Sequence, residues 1–105
     1  MVEVIWTEPA LIDLRNIFEY IARDSLTYAE KLVNRVVVAA KRLEQFPRCG
    51  RIVPEFNDEN ILESICGVYR IIYLFRKSRC YIATVIHGSR DIFRHLEPGT
   101  WEIMP

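Results

Sequence analysis

Apolar positions recur at steps of three and four through the first half of the chain and at steps of two through the second. Val2 to Trp6 is a short strand-like run closed by Thr7-Glu8-Pro9. Thr7 suits a helix N-cap, and Pro9 suits the first helical turn, where an amide hydrogen has no partner to lose. Leu11, Leu14, Ile17, Phe18 and Ile21 then predict one apolar stripe on a helix, with Asp13, Asn16, Glu19 and Arg23 off the stripe. Asp24-Ser25 interrupts the pattern and offers a second cap. From Leu26, the positions Ala29, Leu32, Val33, Val36, Ala40 and Leu43 predict a second helix of about five turns, ended by Phe46-Pro47. The Val36-Val37-Val38 triplet prefers strand locally, but the length of the three-and-four pattern outweighs it. A very short link makes the two helices antiparallel neighbours.

The remainder predicts strands. Pro54 lacks an amide donor, so Ile52 to Phe56 is an edge strand or a loop. Asn57 to Asn60 is a turn, Ile61 to Cys66 an imperfectly alternating strand, and Gly67 a break. Tyr69–Phe75 and Cys80–Ile86 are rich in aromatic and β-branched residues, with Arg76 to Arg79 as a charged hairpin loop. Strict alternation puts Tyr69, Ile71, Tyr73 and Phe75 on one face and Arg70, Ile72 and Leu74 on the other; it also groups Tyr81, Ala83, Val85 and His87. A short helical turn is expected between Asp91 and Pro98. A strand, a helical hairpin and an antiparallel meander define a two-layer α+β domain over residues 1–97, with residues 98–105, including Trp101, as a tail.

The chain length of 105 residues allows one hydrophobic core without metal or disulfide staples. Glu3 and Glu8 argue against a secretory leader, and no apolar run approaches a membrane span. Three cysteines (Cys49, Cys66 and Cys80) have no paired metal-ligand spacing and read as reduced thiols in a cytoplasm. Fourteen basic and 14 acidic side chains balance, but not locally. Residues 54–64 hold Glu55, Asp58, Glu59 and Glu63 without a base, whereas residues 70–79 hold Arg70, Arg76, Lys77 and Arg79 without an acid. Such segregation permits separate charged faces, or simply ordinary solvated surfaces.

No phosphate-binding glycine loop, nucleophile elbow or zinc-binding helix motif is present. The candidate chemistry is a thin polar set: Arg51, Glu55, Arg70, Tyr73, His87 and Arg90. Cleavage of a phosphodiester needs a base, an acid and a cation, roles open in principle to Glu55, His87 and Arg70. Arg70 reads equally as a cation facing phosphate and as a stem laid over the sheet with its guanidinium wet. Arg51 could satisfy helix carbonyls, Arg90 could pair with Asp91, and Tyr69 and Tyr73 read as core or sheet cover rather than as nucleobase-stacking platforms.

In order along the chain, Trp6 with Ala10 to Leu14, Ile17 to Ile21, Leu43 to Arg51, Val53-Pro54-Glu55, Tyr69 to Tyr73 and His87-Gly88-Ser89-Arg90-Asp91 resemble the RelE/ParE superfamily of type II toxin–antitoxin toxins. The resemblance runs from Val2 to about Leu96 and implies a strand, a helical hairpin and an antiparallel sheet. Its Gly50-Arg51 to Glu55 segment and its HGSRD ending are similar to the ParE branch, whose members poison DNA gyrase. That branch implies Arg51, Arg70, Tyr73 and Arg90 as target-binding residues. The alternative within the superfamily is a ribosome-dependent mRNA endonuclease, with Arg70, His87 and Glu55 as catalytic residues. A supply of only three lysines (Lys31, Lys41 and Lys77), and no tyrosine after Tyr81, depart from the RelE-type nuclease pattern. Glycine after His87 departs from the YoeB-like one. A third possibility is an inactive domain that only binds antitoxin. The resemblance implies a cognate antitoxin with an acidic, amphipathic C-terminal segment, and neither metal nor small-molecule cofactor.

Overall fold

The computed structural model describes residues 1–95, so the domain boundary expected at residue 97 and the tail from 98 lie outside the described residues. The elements are β1 (Glu3–Trp6), α1 (Glu8–Ala22), α2 (Leu26–Arg42), β2 (Arg51–Ile52), β3 (Ile61–Cys66), β4 (Tyr69–Arg76), β5 (Arg79–His87) and α3 (Ile92–His95). Five strands form one mixed sheet in the order β1-β5-β4-β3-β2. The α+β architecture agrees with the pattern of the sequence. The N-terminal strand is part of the sheet rather than an addition to it: β1 pairs parallel to β5, from Glu3 opposite Arg79 to Trp6 opposite Ile82. A strand followed by a helical hairpin can return to its neighbour in parallel because the helices supply the crossover length.

Both helix starts follow the expected capping chemistry. The Thr7 hydroxyl accepts from the Ala10 amide and donates to the Ile82 carbonyl at 2.6 Å, tying the start of α1 to β5. Ser25 accepts from the Tyr28 amide at 3.1 Å. The α2 stripe is buried as the spacing predicts, through Ala29, Leu32, Val36, Ala40 and, at its C-cap, Leu43. The helix ends about one turn before Phe46-Pro47, and residues 43–45 continue as turns. In α1 the buried line runs through Ala10, Leu14, Ile17 and Ile21, leaving Leu11 exposed: small Ala10 lets the helix approach the sheet closely.

The two helices cover one face of the sheet, over Ile71, Tyr73, Cys80, Ile82 and Val85. The other face is a second apolar layer of Ile72, Leu74, Tyr81, Ala83 and Ile86, closed by Val53 and Phe56 from the β2–β3 connection and by Ile92 of α3. The alternation of β4 follows the sequence. That of β5 does not, because Tyr73 opposes Ile82 while Ile72 opposes Thr84, and Ala83 is the extra residue of a bulge. Cys80 and Ile82 before the bulge therefore share the helix side with Val85 after it. The grouping of Tyr81, Ala83, Val85 and His87 on one face is overturned. Lys77 and Ser78, at φ 52° and 60°, form a tighter β4–β5 loop than the four-residue one expected.

Candidate functional site

Alternation along β4 sends Arg70 to the face opposite the helices, where the strand register brings acids to meet it. Glu63 lies directly across from Arg51 in the β2–β3 ladder, and Arg70 lies across from Ile65, two residues along β3 on the same face. Arg51 Nε donates to Glu63 Oε2 at 2.5 Å, and Arg70 Nε donates to Glu63 Oε1 at 2.5 Å. The other edge of the Arg70 guanidinium donates twice to Glu55, Nη1 to Oε2 and Nη2 to Oε1, both at 2.8 Å. This is a bidentate fork on one side and a buried carboxylate on the other. The Glu63 side chain is fully buried and that of Arg70 is 9% exposed. Two guanidiniums and two carboxylates leave the cluster with no net charge.

Hydrogen bonding from Arg70 holds the Glu55 carboxyl at about 2, against an ordinary value of 4.5, with burial opposing the shift. Glu55 in turn raises the pKa of Arg70 further, again against burial. Because folding depresses the Glu55 value, its contribution to stability is fully present above pH 4.5 and is lost as pH falls toward 2. Discounted for its solvent contact, that contribution is about 1–2 kcal/mol. Urea midpoints of the wild type should therefore fall between pH 4.5 and 2.5, and the Glu55→Gln variant should lose less over the same interval. Equal slopes for the two proteins would show that the fork adds nothing to stability.

Tyr73 projects from β4 to the helix side and is completely buried. Its hydroxyl donates to the Pro47 carbonyl at 2.8 Å and accepts from the Gly50 amide at 3.2 Å, and burial pushes its pKa up to about 12. Tyr73 fastens the α2–β2 loop and presents nothing to a target. Arg70 likewise has no unpaired edge, so the expectation of an open, positively charged sheet face at Arg70 is corrected: buried Glu63 on β3 and partly exposed Glu55 on the β2–β3 connection fill it. Arg51 neither satisfies helix carbonyls nor stands alone, since it shares Glu63.

His87 does not join this cluster. It opposes Tyr69 at the end of the β4–β5 ladder, and the two rings meet edge to face at 5.6 Å on the α1 side. The Ser89 amide donates to His87 Nδ1 at 3.1 Å, so the neutral ring carries its proton on Nε2. Arg51, Glu55 and Arg70 line a cavity of about 350 Å³, whereas His87 and Arg90 line a different one of about 670 Å³ between α1 and the end of β5. His87 thus lies on the face opposite Arg70 and Glu55, with Tyr69 lining both cavities at the end of the sheet. Asp91 bonds the Phe93 amide and pairs with Arg94 rather than with Arg90.

Two acids at the centre of these arrangements escaped sequence reasoning. Glu63 interrupts an apolar strand, and its place between acid-rich and base-rich segments was a usable signal once the register was known. Asp13 lies off the α1 stripe in sequence, yet it accepts from the Thr84 hydroxyl and lies 3.1 Å from His95 Nε2, pinning α3 to α1. Among the described residues, no group of three or more His, Cys, Asp or Glu side chains could hold a metal ion, and no helix is long and apolar enough to cross a membrane.

A helical hairpin laid on a five-stranded mixed sheet is also the fold of a chain from the solved "Chromosomal ParDE TA system from P. aeruginosa". The two superpose with a TM-score of 0.69 at 20% identity, over 83% of this chain and 96% of that one. The chain belongs to the family described as "ParE toxin of type II toxin-antitoxin system, parDE", whose model matches residues 4–92. It is therefore a type II toxin of the RelE/ParE kind. It is also 30% identical over 90 residues to Toxin RelE2 of Caulobacter vibrioides, covering 86% of this chain and 99% of that protein.

Proposed function

We propose that this chain is a non-enzymatic toxin that inhibits DNA gyrase and is neutralised by a cognate antitoxin. The observation that favours this reading over a nuclease is the closure of Arg70 by Glu55 and Glu63, with His87 on the other side of the sheet; of the implied target contacts, Arg51 and Arg90 stay exposed. Transition-state charge on a phosphodiester needs an available cation near the proton-transfer groups. Of the set Arg70, His87 and Glu55, the cation is saturated by carboxylates, and Glu55, held near pKa 2, is a poor base. The match to a ParE family model supports the same branch.

The antitoxin reading rests on the parDE system to which that family model refers and on exposed surface suited to a peptide. Lys31, Arg35, Lys41 and Arg42 are exposed on α2 beside exposed Val37 and Val38, which suits an acidic, amphipathic segment. The edge strands β1 and β2 offer main-chain groups for strand addition. The neighbouring gene product should co-purify with this chain, and its failure to do so would contradict the partnership.

Inducing the chain without antitoxin tests the target. The expected result is a DNA-damage response with intact transcripts, together with loss of gyrase supercoiling by stoichiometric purified protein. Transcript cleavage with supercoiling unaffected would replace this reading with the mRNA endonuclease. Normal growth on soluble protein would leave only an antitoxin-binding domain.

A further inference from the structure

The cleft between α1 and the end of β5 has about 670 Å³, within the usual range for a small-molecule site. Its charges are unevenly committed. Of its two acids, Asp13 is engaged by Thr84, the Val85 amide and His95, and Glu19 pairs with Arg15 at 3.3 Å. Arg23 and Arg90, exposed on opposite sides of the cleft, form no ion pair with any described residue. Arg23 instead lies over the Tyr20 ring, 5.8 Å from its centroid. Tyr20 is 69% exposed and Tyr69 half-buried, and the Tyr69 hydroxyl is raised by burial and by its neighbours Tyr28 and Tyr20. Tyr69 and His87 add their edge-to-face pair, with His87 Nδ1 already taken by the Ser89 amide.

Guanidiniums without an ion pair among the described residues select a planar, multivalent anion, and exposed ring faces select an aromatic body. We propose that this cleft binds a nucleoside phosphate, its base stacked on Tyr20 and the Tyr69–His87 pair and its phosphate held by Arg23 and Arg90. Buried Arg70 and exposed Arg51 of the sheet are engaged by carboxylates instead. An acidic peptide would engage the two arginines but leave the exposed ring of Tyr20 without a stacking partner, and is the poorer match.

Titration of the full chain with adenosine 5′-monophosphate, adenosine, inorganic phosphate and a four-nucleotide RNA, followed by amide chemical shifts, tests it. Adenosine 5′-monophosphate should bind more tightly than adenosine or phosphate, shifting Tyr69, His87 and Ser89 amides. Arg90→Ala and Arg23→Ala should each weaken it about tenfold, as loss of a charged hydrogen bond predicts. Tyr20→Ala should weaken adenosine 5′-monophosphate about tenfold and leave phosphate unchanged. All three substituted residues are exposed, so melting temperatures should hold, and Lys77→Ala at the far hairpin should change nothing. Comparable binding of the tetranucleotide, with the same shifts, identifies a strand end as the source of the ligand; its exclusion identifies a free nucleotide. The proposal is overturned if adenosine 5′-monophosphate binds no better than its parts, if the arginine variants bind normally, or if an acidic peptide competes with equal affinity.

Discussion

Arg70→Ala should unfold the protein rather than disarm it. The substitution leaves Glu63 fully buried with only the half-exposed Arg51 beside it, and frees Glu55 from its fork. Removing one partner of a buried ion pair costs about 3–5 kcal/mol, because the stranded charge loses both water and counter-ion. A domain of this size has about 5–10 kcal/mol in total, so the variant should populate unfolded chain near physiological temperature. Toxicity and antitoxin binding should then fall together, and the urea midpoint should drop with them. Arg70→Lys should recover little, since a point ammonium cannot bridge Glu55 and Glu63 with a rigid fork. Removing both buried charges as Arg70→Met with Glu63→Leu should regain most of the lost stability, because apolar replacements of a buried pair are often neutral or better. A folded, antitoxin-binding but harmless Arg70→Ala protein would reverse the assignment and make Arg70 a target contact.

The distribution of this network explains why part of the site was legible in the sequence and part was not. Helix stripes, caps and turns are local, so Thr7, Ser25 and the α2 core positions could be read directly. Alternation in β4 correctly separated Arg70 from Tyr69 and Tyr73. What Arg70 meets depends on register between strands, and register is set by the Gly67-Val68 turn, whose Gly67 takes φ +60°, and by the pairing of a two-residue β2. The same charge segregation that suggested a basic face is the arrangement by which acids of residues 54–64 neutralise a base of β4. The bulge at Ala83 left no mark in the apolar pattern, since Ala83, Thr84 and Val85 are all compatible with either face. Helix periodicity puts Asp13 off the apolar stripe, but α1 packs close enough to β5 for an off-stripe carboxylate to reach Thr84. The parallel placement of β1 likewise depends on where the helical hairpin returns the chain, not on any property of Val2 to Trp6.

Gly50→Ala should be the most damaging alanine substitution among the described glycines, costing about 3 kcal/mol, at the upper end of ordinary overpacking. A Cβ there would lie 2.5 Å from the Glu63 carbonyl oxygen, 2.9 Å from its carbon and 2.7 Å from the Tyr73 hydroxyl. Two of those atoms are backbone of a central ladder, so relief requires the α2–β2 loop to lift. Lifting it separates Arg51 from Glu63 and breaks the bonds by which Tyr73 ties Pro47 and Gly50 to β4. The loss should thus be shared by both faces of the sheet at once. Gly67→Ala provides the contrast: its φ of +60° disfavours alanine, but only the Arg35 guanidinium lies near, at 3.9 Å. The expected cost there is about 1 kcal/mol, from backbone conformation alone. Urea unfolding of the two variants should reproduce that order. A Gly50→Ala protein as stable as Gly67→Ala would mean that the loop can yield without disturbing β3, and that Tyr73 does not couple it to the sheet.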